Sequence, residues 1–522
     1  MIRADNIQRL KFGEETWDFI IIGGGATGLG IAVDAAARGF KTVLLEQSDF
    51  AKATSCRSTK LVHGGVRYLQ KGDILLVREA LRERGRLRKN APHLVKDQRF
   101  IISNYRWWEP LFYTAGLMVY DLLAGKLGLG RSLPIGKKKV IRSIPGIIRE
   151  KLRGGVVYHD GQFDDARLAV NLMQTATEKG AITVNYAKVT QLLKENGKIN
   201  GVAVCDEISG EKFEVKGQCI VNATGIFVDE IIRMDDRNNE PLVRPSQGIH
   251  IVVDASFLGG NDAIMIPKTS DGRVLFGVPW HNRVILGTTD TPVKEFVLEP
   301  RPLEKEVDFI LRTAAQYLTR PPQKEDVLCV FAGLRPLAAP KQKVDETKTK
   351  EISRSHKLIV SESGLITITG GKWTTYRQMA QETVDLAIKK SGLPPKKCKT
   401  KEMKIHGYKK TIDRSNWLYV YGSDGDKILA LQSEKPEYAE KLHPAFDFTV
   451  AEVVWAVREE MAQTVDDVLA RRVRALYLDA RASILMAPKV ATIMAHELGK
   501  NEIWAKEQTK EYALIAEGYI LN

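Results

Sequence analysis

The most readable chemical pattern in the chain is Gly23-x-Gly25-x-x-Gly28, with Ala26 and Thr27 inside it and Glu46 about 20 residues on. The glycines permit a tight turn and a close approach of backbone to a pyrophosphate. A helix opening there offers free amide donors and the positive end of its dipole. Glu46 can accept hydrogen bonds from ribose hydroxyls, so the set points to a dinucleotide. It does not choose between FAD and NAD, but two later stretches tilt it to FAD. "IVNATGIFVDEI" ends an apolar strand in Ala223-Thr224-Gly225, a turn at which backbone can approach a nucleotide. "TITGGKWTTYRQMA" places the Gly370-Gly371 turn before a helix whose N-terminal amides can stabilise negative charge on a reduced flavin ring. A further stretch, "ATSCRSTKLVHGGVRYLQKGD" (53–73), packs hydroxyls, a lysine, a histidine, two glycines and an Arg-Tyr pair just after the cofactor motif. It reads as the loop that carries the chain from the adenosine end of the cofactor to its reactive ring and the substrate.

The elements that must position these residues are partly visible. Phe19 to Ile22 is a continuous apolar run, as expected of a strand buried on both faces. The alanines at 32 and 35–37 mark a helix able to pack closely on the sheet, Gly39 is placed to end it, and "KTVLLE" follows as a second parallel strand. Residues 74–92 read as a basic amphipathic helix stopped by Pro92. Short strands recur from about 155 to 220, in 247–290 and in 325–340, interrupted by a helical stretch in "DDARLAVNLMQTATEKG". Beyond "GLPPKKCKTKEMK" the pattern changes to amphipathic helices up to residue 522.

Bulk properties exclude several classes. With 44% hydrophobic and 27% charged residues the chain is of ordinary globular composition, and its net charge of +14 favours acidic partners: nucleic acid, an anionic membrane surface or phosphorylated small molecules. No aromatic-interleaved basic platform supports nucleic acid. Five scattered cysteines without a C-x-x-C pair argue against a disulfide framework, a metal site or an iron–sulfur cluster, and suggest a reducing compartment. The N-terminal residues lack an apolar core of the secretory kind, and no stretch is long and apolar enough to span a bilayer. The closest, "PLFYTAGLMVY" (110–120), beside Trp107 and Trp108, is read as a buried core or dimer helix, with an interfacial helix as the alternative.

The combination "IIGGGATGLGIAVDAAARG", "ATSCRSTKLVHGGVRYL", "FDDARL", "NATG", "GTTD", "GLRPL" and "GGKWTTYR", in this order over residues 1–390, resembles the FAD-dependent, aerobic respiratory glycerol-3-phosphate dehydrogenases. The resemblance implies an α/β plus antiparallel-β fold. A Rossmann-like FAD-binding domain of the glutathione-reductase and D-amino-acid-oxidase kind would carry an inserted mixed-sheet substrate domain and a C-terminal all-α domain. The expected boundaries are 1–85 (FAD domain, first segment), 86–155 (helical or connecting part of the substrate domain), 156–235 (return to the FAD domain), 236–350 (substrate domain), 351–392 (FAD domain, last segment) and 393–522 (helical domain).

The same resemblance implies site roles. Thr54, Ser55, Ser58, Thr59 and Lys60 would bond FAD phosphate, ribitol or ring, and His63, Gly64 and Gly65 would bring backbone to the isoalloxazine. Val189, Trp373 and Thr374 join the cofactor contacts. Arg335 and Lys372 would line a pocket for the substrate dianion, with Arg67, Tyr68 and Arg354 as further contacts, because a phosphate needs two or more fixed cations. Oxidation of a secondary alcohol sends a hydride from C2 to flavin N5 and a proton to a base. His250 is the base candidate, on the ground that histidine titrates near working pH, and Thr289 and Asp290 would orient that base or the substrate. The family implies glycerol 3-phosphate as substrate, a membrane quinone as acceptor and peripheral attachment to the cytoplasmic face of the inner membrane, and leaves a homodimer open. The alternatives are an oxygen-reducing FAD oxidase of similar fold, acting on glycerol 3-phosphate or an amino acid, and a flavoprotein that binds nucleic acid.

Overall fold

A computed structural model of the 522-residue chain describes residues 3–69, 72–270, 272–338 and 356–521. Arg354 and the side chain of Arg67 lie outside the described residues.

The apolar run at the start becomes the strand Trp17–Ile22, parallel to Thr42–Leu45 on one side and to Lys212–Asn222 on the other. Ile182–Val184 extends the sheet beyond Thr42–Leu45, and Ile366–Thr369 extends it beyond Lys212–Asn222. The chain therefore returns to the first sheet near 220 and near 370, with Ile20 opposite Ile220 and Val221 opposite Ile366. The helix Ala26–Ala37 packs on this sheet through small residues, and the helix Tyr376–Ser391 lies against it. Gly23 has φ of +108°, and a Cβ on Gly28 would stand 1.9 Å from the Gly23 carbonyl oxygen, so the turn between strand and helix closes only with glycine at both places.

A second sheet of ten strands is built around Val243–Asp254, which lies between Arg283–Gly287 and Cys329–Ala338. Two expectations fail here. Val95–Asn104 is a long strand inside the stretch 86–155 read as the helical or connecting part of the substrate domain, and Gly154–Phe163 lies mostly in the stretch read from 156 on as the return to the FAD domain. They pair instead with each other along ten residues and belong to the second sheet, as does Leu61–Val62. The runs Phe100-Ile101-Ile102 and Val156-Val157-Tyr158 are buried, and each side chain finds its partner across the ladder at long sequence separation.

The helix Glu109–Ala124, expected as a core or dimer helix with an interfacial helix as the alternative, is not buried in the core. Leu117, Tyr120 and Ala124 face the protein, but Trp107 and Leu111 are 79% exposed, Leu122 is 80% exposed, and Phe112, Met118 and Val119 are also exposed. Among the described residues no helix is long and apolar enough to cross a membrane.

The C-terminal residues form helices as expected, including Asp424–Glu434, Val450–Glu460, Ala480–Leu498 and Glu502–Glu517. Their apolar faces merge with the core under the first sheet rather than forming a separate one. Buried ion pairs stitch the same junction. Arg167 binds Glu460 through two 2.7 Å bonds, Arg472 binds Asp49 at 2.7 and 2.9 Å, and Arg474 binds Asp164 at 2.8 Å.

Candidate active site

Two cavities meet over the C-terminal ends of the first sheet's strands. The narrower, about 200 Å³, is lined by Gly23, Gly25, Ala26, Thr27, Glu46, Thr54, Ser55, Val189, Ala223, Thr224 and Gly225. The larger, about 550 Å³, lies between the sheets and is lined by Ser58, Thr59, His63, Gly65, Tyr68, His250, Thr289, Asp290, Arg335 and Thr374. Thr54, Gly370, Gly371, Lys372 and Trp373 line both, so the cavities are one elongated space. Most residues expected at cofactor and substrate are thus brought together.

The narrow arm has the chemistry of a nucleotide cradle. The Ala26 N–H at the helix start donates to Ser55 Oγ at 3.0 Å, which holds the opening loop against the glycine turn. Glu46 accepts from the Gly24 N–H at 2.6 Å and the Ser48 N–H at 2.8 Å; burial pushes its pKa up, against the pull of these two donors. Trp373 Nε1 donates to the Ser55 carbonyl at 2.8 Å, tying the Gly-Gly turn to the same loop. A Cβ on Gly23 would meet the Ala223 carbonyl oxygen at 2.7 Å, so backbone runs close beneath the arm, as a pyrophosphate requires.

Some expected residues do other work. Lys60 was expected against FAD, but its ammonium is fully buried, donating to Asp165 at 2.7 and 2.8 Å and to the Cys56 carbonyl at 2.6 Å. A buried ammonium needs a carboxylate, and Asp165, at the start of the helix Asp165–Glu178, supplies it. Ser58 donates to the same carboxylate at 2.6 Å, so its hydroxyl is spent on the loop even though the residue borders the chamber. Gly64 faces neither cavity: its N–H donates to Tyr120 Oη at 2.8 Å, and a Cβ would stand 2.4 Å from Leu81. Gly28 likewise serves the turn without lining it.

In the chamber, Arg335 Nη2 donates to Thr288 Oγ1 and to the Thr289 carbonyl, both at 3.0 Å, and Nη1 reaches Asp290 at 3.4 Å. Asp290 also accepts from Ser246 Oγ. Thr289 and Asp290 therefore orient Arg335, not His250. A Cβ on Gly248 would stand 2.1 Å from Arg335 Nη2, so the guanidinium lies directly on the backbone at 248. Lys372 Nζ sits 3.9 Å from the centroid of the Tyr68 ring, a cation–π contact at the chamber wall.

His250 stacks on Phe331 at 4.8 Å, and its Nε2 lies 2.8 Å from Thr59 Oγ1. Its buried Nδ1 makes no hydrogen bond among the described residues. Burial first, then the positive charges of Arg335 and Lys60, hold its pKa well below the ordinary value. The expectation that it titrates near working pH is overturned: the imidazole is neutral there, with a lone pair available.

Sequence reasoning missed three parts of the chamber. Arg57, inside the opening loop, lines it while pairing with Glu299 at 2.7 Å and donating to Tyr519 Oη at 3.1 Å, which brings the last helix's end to the site. Thr288 supplies a hydroxyl acceptor to Arg335. One wall is apolar, made of Leu61, Val66, Phe100, Tyr158, Met265 and Phe276. Only the alternation in these strands hinted at such a wall, and the pairing that assembles it is long-range.

A dinucleotide cradle opening into a chamber with fixed cations and a neutral imidazole defines an FAD-dependent oxidoreductase. Comparison with known proteins agrees. The family profile "FAD dependent oxidoreductase" matches residues 18–377, and "C-terminal domain of alpha-glycerophosphate oxidase" matches residues 365–508. The mitochondrial glycerol-3-phosphate dehydrogenase of Mus musculus is 38% identical, over 97% of this chain and 74% of the mouse protein. That of Homo sapiens is also 38% identical, over 94% of this chain and 72% of the human one. Among solved structures, the glycerol-3-phosphate dehydrogenase of Bacillus halodurans complexed with FAD superposes with a TM-score of 0.81 at 28% identity, covering 99% of this chain and 98% of that one. A glycine oxidase from Bacillus cereus shares the fold alone, at 19% identity, a TM-score of 0.51 and coverage of 73% and 96%. The chain belongs to the family of FAD-dependent glycerol-3-phosphate dehydrogenases.

Proposed function

We propose that the protein oxidises sn-glycerol 3-phosphate to dihydroxyacetone phosphate and passes the electrons to a membrane quinone. The observation that carries this reading is the convergence of Arg335, Lys372 and His250 on a chamber continuous with the nucleotide cradle. Arg335, held on three acceptors, keeps its fork fixed and binds the substrate phosphate, with Lys372 as the second cation; Arg67 and Arg354 remain candidates from sequence for the same anion. Bound FAD supplies the acceptor for the electron pair that leaves with the C2 hydrogen. His250, neutral and backed by Thr59 and Phe331, takes the hydroxyl proton, and the apolar wall that includes Tyr158 and Met265 keeps water from the reacting carbon.

Two features support an apolar, membrane-borne acceptor. The chamber's apolar wall packs against Leu117 and Tyr113 on the inner side of the helix Glu109–Ala124. The outer side of that helix exposes Trp107, Leu111, Phe112 and Leu122 beside the exposed cations Lys126, Arg131 and Lys137 to Lys139, which suits an anionic lipid surface. A peripheral position on the cytoplasmic face of the inner membrane belongs to this proposal. The match of residues 365–508 to a glycerophosphate oxidase domain favours a second reading, in which oxygen accepts the electrons. Steady-state turnover with glycerol 3-phosphate separates them. The first reading expects reduction of a soluble quinone analogue with little peroxide, and stoichiometric peroxide with no quinone reduction would establish the second.

A further inference from the structure

Glu306 lies on the helix Glu304–Ala315, behind the chamber rather than in it, and is 2% exposed. In a helix that reads as amphipathic, a glutamate would ordinarily sit on the solvated face. Here its carboxyl oxygens accept four hydrogen bonds. Oε1 accepts from Thr289 Oγ1 at 2.9 Å and Thr291 Oγ1 at 2.6 Å; Oε2 accepts from Gln247 Nε2 at 2.8 Å and the Leu303 N–H at 3.1 Å. The last bond caps the helix. The other three join two pieces of chain that together seat Arg335. Residues 288–290 offer the guanidinium three acceptors, and Gln247 precedes Gly248, on whose backbone the guanidinium rests. Thr289 closes the arrangement by accepting from the Ile249 N–H at 3.0 Å while donating to Glu306.

We propose that Glu306 is a positioning residue for Arg335: it clamps the 289–291 segment to the strand Val243–Asp254 and so fixes the guanidinium that grips the substrate. The clamp needs an acceptor on both carboxyl oxygens. A carboxamide at 306 lacks the charge that strengthens these bonds, and its NH2 group either faces Gln247 Nε2 and the Leu303 N–H, which are themselves donors, or forces the two threonine hydroxyls to turn from donors into acceptors. Either way one side of the seat loosens without any change of volume.

This inference rests on the reading that Arg335 binds the substrate anion, and the experiment separates the two. Glu306→Gln, Thr291→Val, Arg335→Ala and the double variants are compared in the FAD-loaded enzyme by steady-state kinetics with glycerol 3-phosphate, with thermal midpoint and FAD content measured alongside. Thr291→Val leaves the helix cap intact and serves if Glu306→Gln does not fold. The expected result is a KM raised about fivefold in each clamp variant with kcat changed less than twofold, as for lost uniform binding. Thr291→Ser, which keeps the hydroxyl, restores the parent KM. In the Arg335→Ala background, Thr291→Val raises KM no further, because the residue it positions is gone. A full additional rise in that background would overturn the positioning role. Arg335→Ala with an unaltered KM would instead take down the functional reading and the inference with it.

Discussion

His250 carries no charge at neutral pH because burial and the cations Arg335 and Lys60 oppose its protonation. Its folded pKa lies below the unfolded value of about 6.5. The unfolded chain therefore gains a proton that the folded one refuses, and stability contributed at this site is present above about pH 6.5 and lost as pH falls below it. For catalysis the consequence is different: the acid limb of kcat/KM is expected to show no inflection near 6.5 from this group, and His250→Ala is expected to slow anaerobic flavin reduction with FAD still bound. A single-turnover rate equal to the parent's would remove His250 from the proton path. Arg335→Ala is expected to raise KM for glycerol 3-phosphate more than tenfold, since a charge-assisted hydrogen bond contributes about 1.5–3 kcal/mol. Gly248→Ala should reproduce much of that rise, because the new methyl occupies the guanidinium's seat. At this scale residue types named the cations and the histidine, but not their partners. The low pKa of His250 and the diversion of Lys60 to Asp165 arise from neighbours far away in sequence: Arg335 is 85 positions from His250, and Asp165 is 105 from Lys60.

The helix Glu109–Ala124 shows what a pattern of apolar side chains can and cannot say. Its residues announce a helix that avoids water on more than one side, and nothing in the spacing tells whether protein or lipid covers the outer face. The first sheet was readable because three of its strands end at a glycine turn of recognisable use, at Gly23, Gly225 and Gly370. The ladder between Val95–Asn104 and Gly154–Phe163 was not, since their pairing spans some fifty intervening residues and neither strand carries such a mark. If the outer face docks on lipid, replacing Leu111, Phe112 and Leu122 together by serine should abolish sedimentation with phosphatidylglycerol-containing vesicles and leave kcat with a soluble acceptor intact. Retained binding would move the docking surface elsewhere, and loss of a dimer in solution with vesicle binding retained would assign the face to a second copy.

At the scale of the whole molecule, the C-terminal helices are fastened to the cofactor domain by charge as well as by core. Burial raises the pKa of Asp49, but Arg472 and Arg471 outweigh it and bring it down to about 2. With an unfolded value of about 3.9, the pair's contribution is fully present above about pH 4 and fades as pH falls through 2. Asp49→Ala removes the carboxylate that Arg472 binds at 2.7 and 2.9 Å and leaves it only the longer 3.6 Å approach to the Glu460 carboxylate, while Arg471 keeps Asp466 and Asp467; the loss is expected to cost about 3 kcal/mol, read as a lowered thermal midpoint. Because Arg57 joins the chamber to Glu299 and Tyr519, loosening this junction should also weaken substrate binding. The account as a whole stands on one space that holds a flavin at one end and a small phosphorylated alcohol at the other. It is tested most directly by mixing the FAD-loaded protein with glycerol 3-phosphate in the absence of oxygen and following the yellow absorbance. The account predicts complete bleaching by one equivalent of substrate and recovery of the colour on adding a quinone. A flavin that stays oxidised under those conditions, or bleaches equally with unphosphorylated glycerol, would contradict it.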